Sequence, residues 1–171
     1  MIENGHFIFD QAAFILNLFM KTQTQLLLEL WFEARTRFSN QINAISEEDL
    51  KKKLQLSTNS VGFLIRHIGD VELLFAKNVF GAHEVNVSAR TVIDKYDTGE
   101  WTNMLALKEY VLSSFETLKL VVEKQQNSDW ESEITTKEFG TKTKAEAFGR
   151  IVSHTAYHAG QMAILVKYGT I

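Results

Sequence analysis

His154 and His158 lie four residues apart in a segment of helical periodicity, so both side chains leave one face, one turn apart. Two imidazoles at that spacing can chelate one cation. Both occupy positions of a stripe that should be apolar, and so does His67 on a different helix. A single histidine on an apolar face is more often a hydrogen-bonded core residue than a ligand. Three are harder to explain in that way, because each buried imidazole must find a partner for both nitrogens. A shared metal would satisfy one nitrogen on each ring. His67, His154 and His158 are therefore the candidate metal ligands. His6 and His83 fall outside the stripes and read as surface or loop residues.

Three neutral imidazoles around zinc leave a position open for water or substrate. Nickel and ferrous iron also suit imidazole. Binding should then weaken as pH falls through about 6, since free imidazole protonates near 6.5 and only its neutral form ligates. Thr155 follows His154, where a zinc protease would carry its glutamate base, which argues against peptide hydrolysis. The Glu-x-x-His signature of di-iron bundles is missing too, with Ile151 three residues before His154. The chain has no cysteine, which excludes disulfides, thiolate ligands and a cysteine nucleophile. A net charge of −3 offers no basic field for a phosphate backbone, so no nucleic-acid partner is expected.

These side chains need long helices to hold them. The 171 residues contain no proline, are 45% hydrophobic and 23% charged, and suit one domain over 1–171. Four segments carry a helical stripe. The first, about Thr22 to Ile45, aligns Leu27, Trp31, Ala34, Phe38, Ile42 and Ile45. Ser46 and Asp49 then suggest a capped short turn. The second, about Asn59 to Phe80, aligns Ser60, Leu64, His67, Val71 and Leu74, and Gly81 follows as a C′ glycine. The third runs from about Thr102 to Gln125. The fourth, about Lys144 to Tyr168, starts on a Thr143–Glu146 capping box and aligns Ala147, Ile151, His154, His158, Met162 and Leu165. About twenty residues link the second and third, where antiparallel neighbours usually need 2–8. A crossover between parallel helices fits that length. Trp130 to Thr143 alternates in part and contains Phe139-Gly140, which suggests a small hairpin over one end of the bundle. Phe7 to Met20 is too polar for a secretory signal or a membrane span, and residues 1–20 read as an extra helix or arm. No membrane partner is expected, and a cysteine-free chain fits a reducing, cytoplasmic location.

Two stretches carry a resemblance. Val61-Gly62-Phe63-Leu64-Ile65-Arg66-His67-Ile68-Gly69-Asp70-Val71-Glu72 resembles the second-helix motif of the DinB/YfiT-like superfamily. His154-Thr155-Ala156-Tyr157-His158-Ala159-Gly160-Gln161 resembles its last-helix motif. The likeness runs from about Leu26 to Gly169. It implies an all-α four-helix bundle, up-down-down-up, with a left-handed crossover between the second and third helices. It implies that His67, His154 and His158 ligate a divalent metal, usually zinc or nickel, and that homodimers are frequent. Some members are transferases or isomerases that use bacillithiol, mycothiol or glutathione.

Around the histidines, Gln161 could orient a ligand or be a solvated helix residue. Tyr157 points aside and suits packing. Asp70 could be an acceptor behind the metal ligands, though such a residue is more often an exposed acid. Gly160 would permit close helix approach, and Arg66 and Arg150 read as solvated unless they meet an anionic thiol. Three functions stay open. The first is a metal-dependent transferase joining a low-molecular-weight thiol to a small electrophile. The second is a non-catalytic metal-binding or stress-associated bundle. The third is a structural bundle with core histidines. Catalytic side chains beyond the metal ligands are not assigned.

Overall fold

Each long helix starts on a side chain that accepts from its first turn, as orphan N–H groups require. The computed structural model describes residues 21–171, so the arm expected over 1–20 lies outside the described residues. Helix α1 (Gln23–Ala44) is capped by a Thr22–Gln25 box, and α2 (Val61–Asn78) by Ser60, which accepts from Phe63 N–H. A single turn, α3 (Arg90–Ile93), interrupts the crossover. Asn103 caps α4 (Met104–Glu123), and the expected Thr143–Glu146 box caps α5 (Lys144–Tyr168). Helices α2 and α4 are each about two residues shorter at both ends than their apolar patterns suggest; at the starts, Ser60 and Asn103 take the cap positions. Ser46 and Asp49 pair around a 3-10 turn, Glu48–Lys51. Gly81 sits just past α2 at φ +78°.

Two core clusters fix the helix directions. One joins Leu28 and Trp31 of α1, Phe75 and Ala76 of α2, Leu118 and Val122 of α4, and Phe148 and Ile151 of α5. The other joins Phe38 and Ile42 of α1, Val61, Leu64 and Ile68 of α2, Leu107 and Val111 of α4, and Ala159, Met162 and Leu165 of α5. The start of α1 thus meets the ends of α2 and α4 and the start of α5. The arrangement is an all-α four-helix bundle running up-down-down-up, with α2 and α4 parallel across the long connection. In the link before α5, β1 (Glu133–Thr136) pairs antiparallel with β2 (Gly140–Thr143), the expected hairpin. Trp130, fully buried, anchors its base by donating Nε1–H to Thr24 Oγ1 at 2.8 Å. No helix among the described residues is long and apolar enough to cross a membrane.

Close approach falls on glycines other than the one expected. A Cβ on Gly160 would meet nothing within 4 Å, because that face of α5 is exposed. A Cβ on Gly62 would lie 1.8 Å from the Trp101 carbonyl oxygen, and one on Gly69 would strike the Tyr110 ring at 2.8 Å. These two glycines let the crossover and α4 lie against α2. Gly62→Ala is expected to cost at least about 1–3 kcal/mol, the range for overpacking, since backbone must move. Gly160→Ala should cost nothing measurable. Urea midpoints for both variants check this.

Candidate metal centre

The three histidines come together where α2 and α5 run antiparallel. One nitrogen from each of His67, His154 and His158 lies within 4.8 Å of the others. Nε2 of His67 and Nε2 of His154 are 3.1 Å apart, and the His154 and His158 ring centroids 4.4 Å. All three rings are half-buried. His67 also stacks on Phe63, one turn earlier on α2, at 5.8 Å and an interplanar angle of 10°.

Partners on the far side of two rings select the tautomer. Thr91 Oγ1 donates to Asp70 Oδ2 at 2.7 Å, so it can only accept from His67 Nδ1–H, 3.1 Å away. His158 Nδ1–H likewise donates to Gln161 Oε1 at 2.6 Å. Both rings therefore keep Nε2 as a lone pair. His154 Nδ1 is buried with no hydrogen-bond partner among the described residues, and its Nε2 faces His67.

Burial favours the uncharged rings. His67 is held well below its usual 6.5, at about 4, chiefly by loss of water and then by His158, against a smaller opposing pull from Asp70. Burial also lowers His154 strongly, with His158, His67 and Arg150 adding to the effect. His158 is lowered by burial too, partly offset by its bond to Gln161. Three neutral imidazoles with clustered nitrogens could hold one metal ion, and the donor set fits zinc, nickel or ferrous iron. Burial moves the expected proton competition below the pH of about 6 that free imidazole would set. In the folded chain, proton competition at His67 sets in near its value of about 4.

Several supporting residues stand elsewhere than their sequence suggests. Asp70 is fully buried rather than an exposed acid. It accepts from Arg66 Nε, Thr91 N–H, Thr91 Oγ1 and the Tyr110 hydroxyl. Arg66 is thus not a solvated arginine; it pairs with Asp70 at 2.8 Å beneath the Tyr110 ring. Gln161 orients His158 instead of facing solvent alone. Tyr157 is 63% exposed, but its ring meets the His158 ring edge to face at 5.0 Å, and its hydroxyl accepts from Gln161 Nε2. Val71 and Leu74 are only partly buried and line a cavity of about 990 Å³, though Val71 also packs against the first core cluster. The three histidines form part of that wall, His83 lines it from the loop after α2, and the β1–β2 turn closes one side. Thr91 and Tyr110 were not read from the sequence as site residues. They lie 24 and 40 positions from the residues they touch, with no motif to mark them.

The family description of the DinB superfamily matches residues 30–162. The chain belongs to the DinB superfamily. A search among curated proteins finds no match. Among solved DinB-like folds, a mycothiol-dependent maleylpyruvate isomerase superposes with TM-score 0.66 at 18% identity, covering 84% of this chain and 63% of that one. A single-histidine mutant of that enzyme gives TM-score 0.62 at 17% identity, with coverage of 84% and 63%. This DinB chain therefore spans less than two thirds of that enzyme's length, and at such identity the likeness carries the bundle architecture alone.

Proposed function

We propose that this chain binds one divalent metal ion through Nε2 of His67, His154 and His158 and acts as a transferase, joining a low-molecular-weight thiol to a small electrophile. The observation that carries this is the convergence of three neutral imidazoles on the wall of a cavity large enough for both reactants. A bound divalent ion with an open position would lower the pKa of a coordinating thiol and supply a thiolate at neutral pH, in a protein with no cysteine of its own. The chain's own residues then hold and orient. Asp70, through Thr91, fixes the His67 ring, and Gln161 fixes His158. Tyr157 O–H is placed to donate to a bound ligand at the cavity rim. Val71, Leu74 and Phe75 exclude water from the inner wall. The mycothiol dependence of the similar isomerase supports the choice of thiol. We assign this reading to a cytoplasmic protein that works as a homodimer.

Cobalt substitution tests it. Adding bacillithiol, mycothiol or glutathione to the cobalt form should produce a thiolate charge-transfer band in the near ultraviolet. The same thiol should be consumed with a chloro-substituted aromatic, and His158→Ala should abolish turnover. A cobalt spectrum indifferent to all three thiols would make the protein a non-catalytic metal binder.

The Asp70–Thr91 link has its own test. Thr91→Val keeps the shape but leaves His67 Nδ1–H without an acceptor. Metal affinity should fall about 10–100-fold, as for other groups that orient a ligand, and Thr91→Ser should restore it. Competition with a chelating dye reads both.

A further inference from the structure

Arg150, His154 and His158 form a row at four-residue spacing on α5, all lining the same cavity. Four residues of helix rise about 6 Å, so the guanidinium enters the cavity one turn before the histidine cluster. The β1–β2 turn steadies it. Glu138 lies 3.3 Å from Nη2, and the Phe139 ring lies 5.0 Å beneath the guanidinium. A guanidinium has five N–H donors, and only one is engaged among the described residues. Lys137, from the same turn, lines the cavity and has no ion pair among the described residues. The charged groups facing this space are thus Arg150 and Lys137 against Glu138, which is 67% exposed. This cavity carries a net positive charge in a chain of net charge −3. Its inner wall, by contrast, is apolar: Val71, Leu74, Phe75 and Phe139.

We infer that Arg150 and Lys137 form a carboxylate subsite, so that a small ligand with an apolar body and a carboxylate binds there with its other end toward the histidine cluster. The inference deepens the proposed transferase reading and rests on it for what happens at that other end. The subsite itself needs no metal. A planar carboxylate matches the two parallel N–H groups of a guanidinium, which a neutral amide cannot. The carboxylate could belong to the electrophile or to the thiol, and the two are separable.

Calorimetric titration of the metal-free protein with phenylacetate and with phenylacetamide tests the subsite apart from any metal. Phenylacetate should bind about tenfold more tightly, the equivalent of one charge-assisted contact. Arg150→Met should remove that preference, Lys137→Met should reduce it, and Glu138→Gln should strengthen it. Because Arg150 and Lys137 are outside the core, circular dichroism should be unchanged. Equal binding of acid and amide, or a preference untouched in both cation variants, would overturn the subsite even if metal binding stands. Retained preference in a protein whose cobalt form ignores all three thiols would uphold the subsite while the transferase reading fails. On the cobalt form, a selective Arg150→Met loss for N-acetylcysteine over 2-mercaptoethanol would place the thiol's carboxylate there. A selective loss of turnover with 4-chloro-3-nitrobenzoate over 1-chloro-2-nitrobenzene, each of which would release chloride to the thiol, would place the electrophile's.

Discussion

Replacing His67, His154 or His158 by alanine should each lower divalent-metal affinity at least about a hundredfold, beyond the 10–100-fold typical of groups that only orient a ligand. Two imidazoles cannot enclose an ion that three hold, and among the described residues no carboxylate stands in the cluster to replace the third. The fold should survive, because Ile151, Ala159 and Met162 bury the core side of α5 while the histidines flank it. His83→Ala is the control, since that loop residue lies outside the cluster. The pH dependence has a definite sign. Burial depresses the folded-state values of all three rings below 6.5, so the unfolded chain takes up protons first. Stability without metal is therefore full above about 6.5 and falls as pH drops from there toward about 4, the His67 value. Metal affinity at fixed free metal should hold through pH 6 and weaken only as pH approaches about 4, the His67 value. Dye competition across pH 4–8 measures this.

Arg35→Met should destabilise the bundle by about 3–5 kcal/mol, the cost of leaving a buried charge without its partner. Arg35 is 6% exposed, stacked over Phe38 and Phe115, and donates from Nη2 to the Val111 carbonyl. Its Nε lies 3.1 Å from Oε1 of Glu72, which is fully buried, while Ser114 Oγ donates to Glu72 Oε2 at 2.7 Å. The Arg35–Glu72 contact is near but poorly aligned, and both atoms lack a hydrogen bond. Burial pushes the Glu72 carboxyl up and the Arg35 guanidinium down, in each case against their mutual attraction. The pair therefore fixes how α1, α2 and α4 register more than it stabilises them. In Arg35→Met, Glu72 keeps its proton in the folded state to higher pH than in the unfolded chain. Stability of the variant should then fall as pH rises above about 4.5. The double variant Arg35→Met, Glu72→Leu should recover most of the loss. Urea midpoints of the three proteins at pH 5 and pH 8 decide the matter. A single variant as stable as the parent would show that the pair is not a coupled buried charge.

What the sequence discloses depends on how local each signal is. Thr22 and the Thr143–Glu146 box lie beside the helices they start, so those starts can be read directly, whereas Ser60 sits in the apolar pattern of α2 and is not marked there as its cap. The hairpin follows from Phe139-Gly140 and the partial alternation before it. His154 and His158 declare themselves by one-turn spacing, and His67 by its place in an apolar pattern. That pattern is ambiguous, however. On α2 the line through His67, Val71 and Leu74 faces a cavity, while the core takes the adjacent line through Leu64, Ile68 and Phe75. An apolar cavity wall and a core face have the same composition, so periodicity alone does not separate them. Links between distant segments leave no local trace. Thr91 reaches His67 only because the crossover lies on α2, and Arg35 meets Glu72 only because α1 and α2 share a core.

The central claim is a single metal ion held by three imidazoles. It is tested most directly by elemental analysis of protein purified without a histidine tag, dialysed against one equivalent excess of zinc and then freed of unbound ion. The same treatment is given to the triple variant His67→Ala, His154→Ala, His158→Ala. The account predicts about one zinc per chain in the parent and close to none in the variant, with both folded by circular dichroism. Equal zinc in the two proteins, or none in the parent, would contradict it.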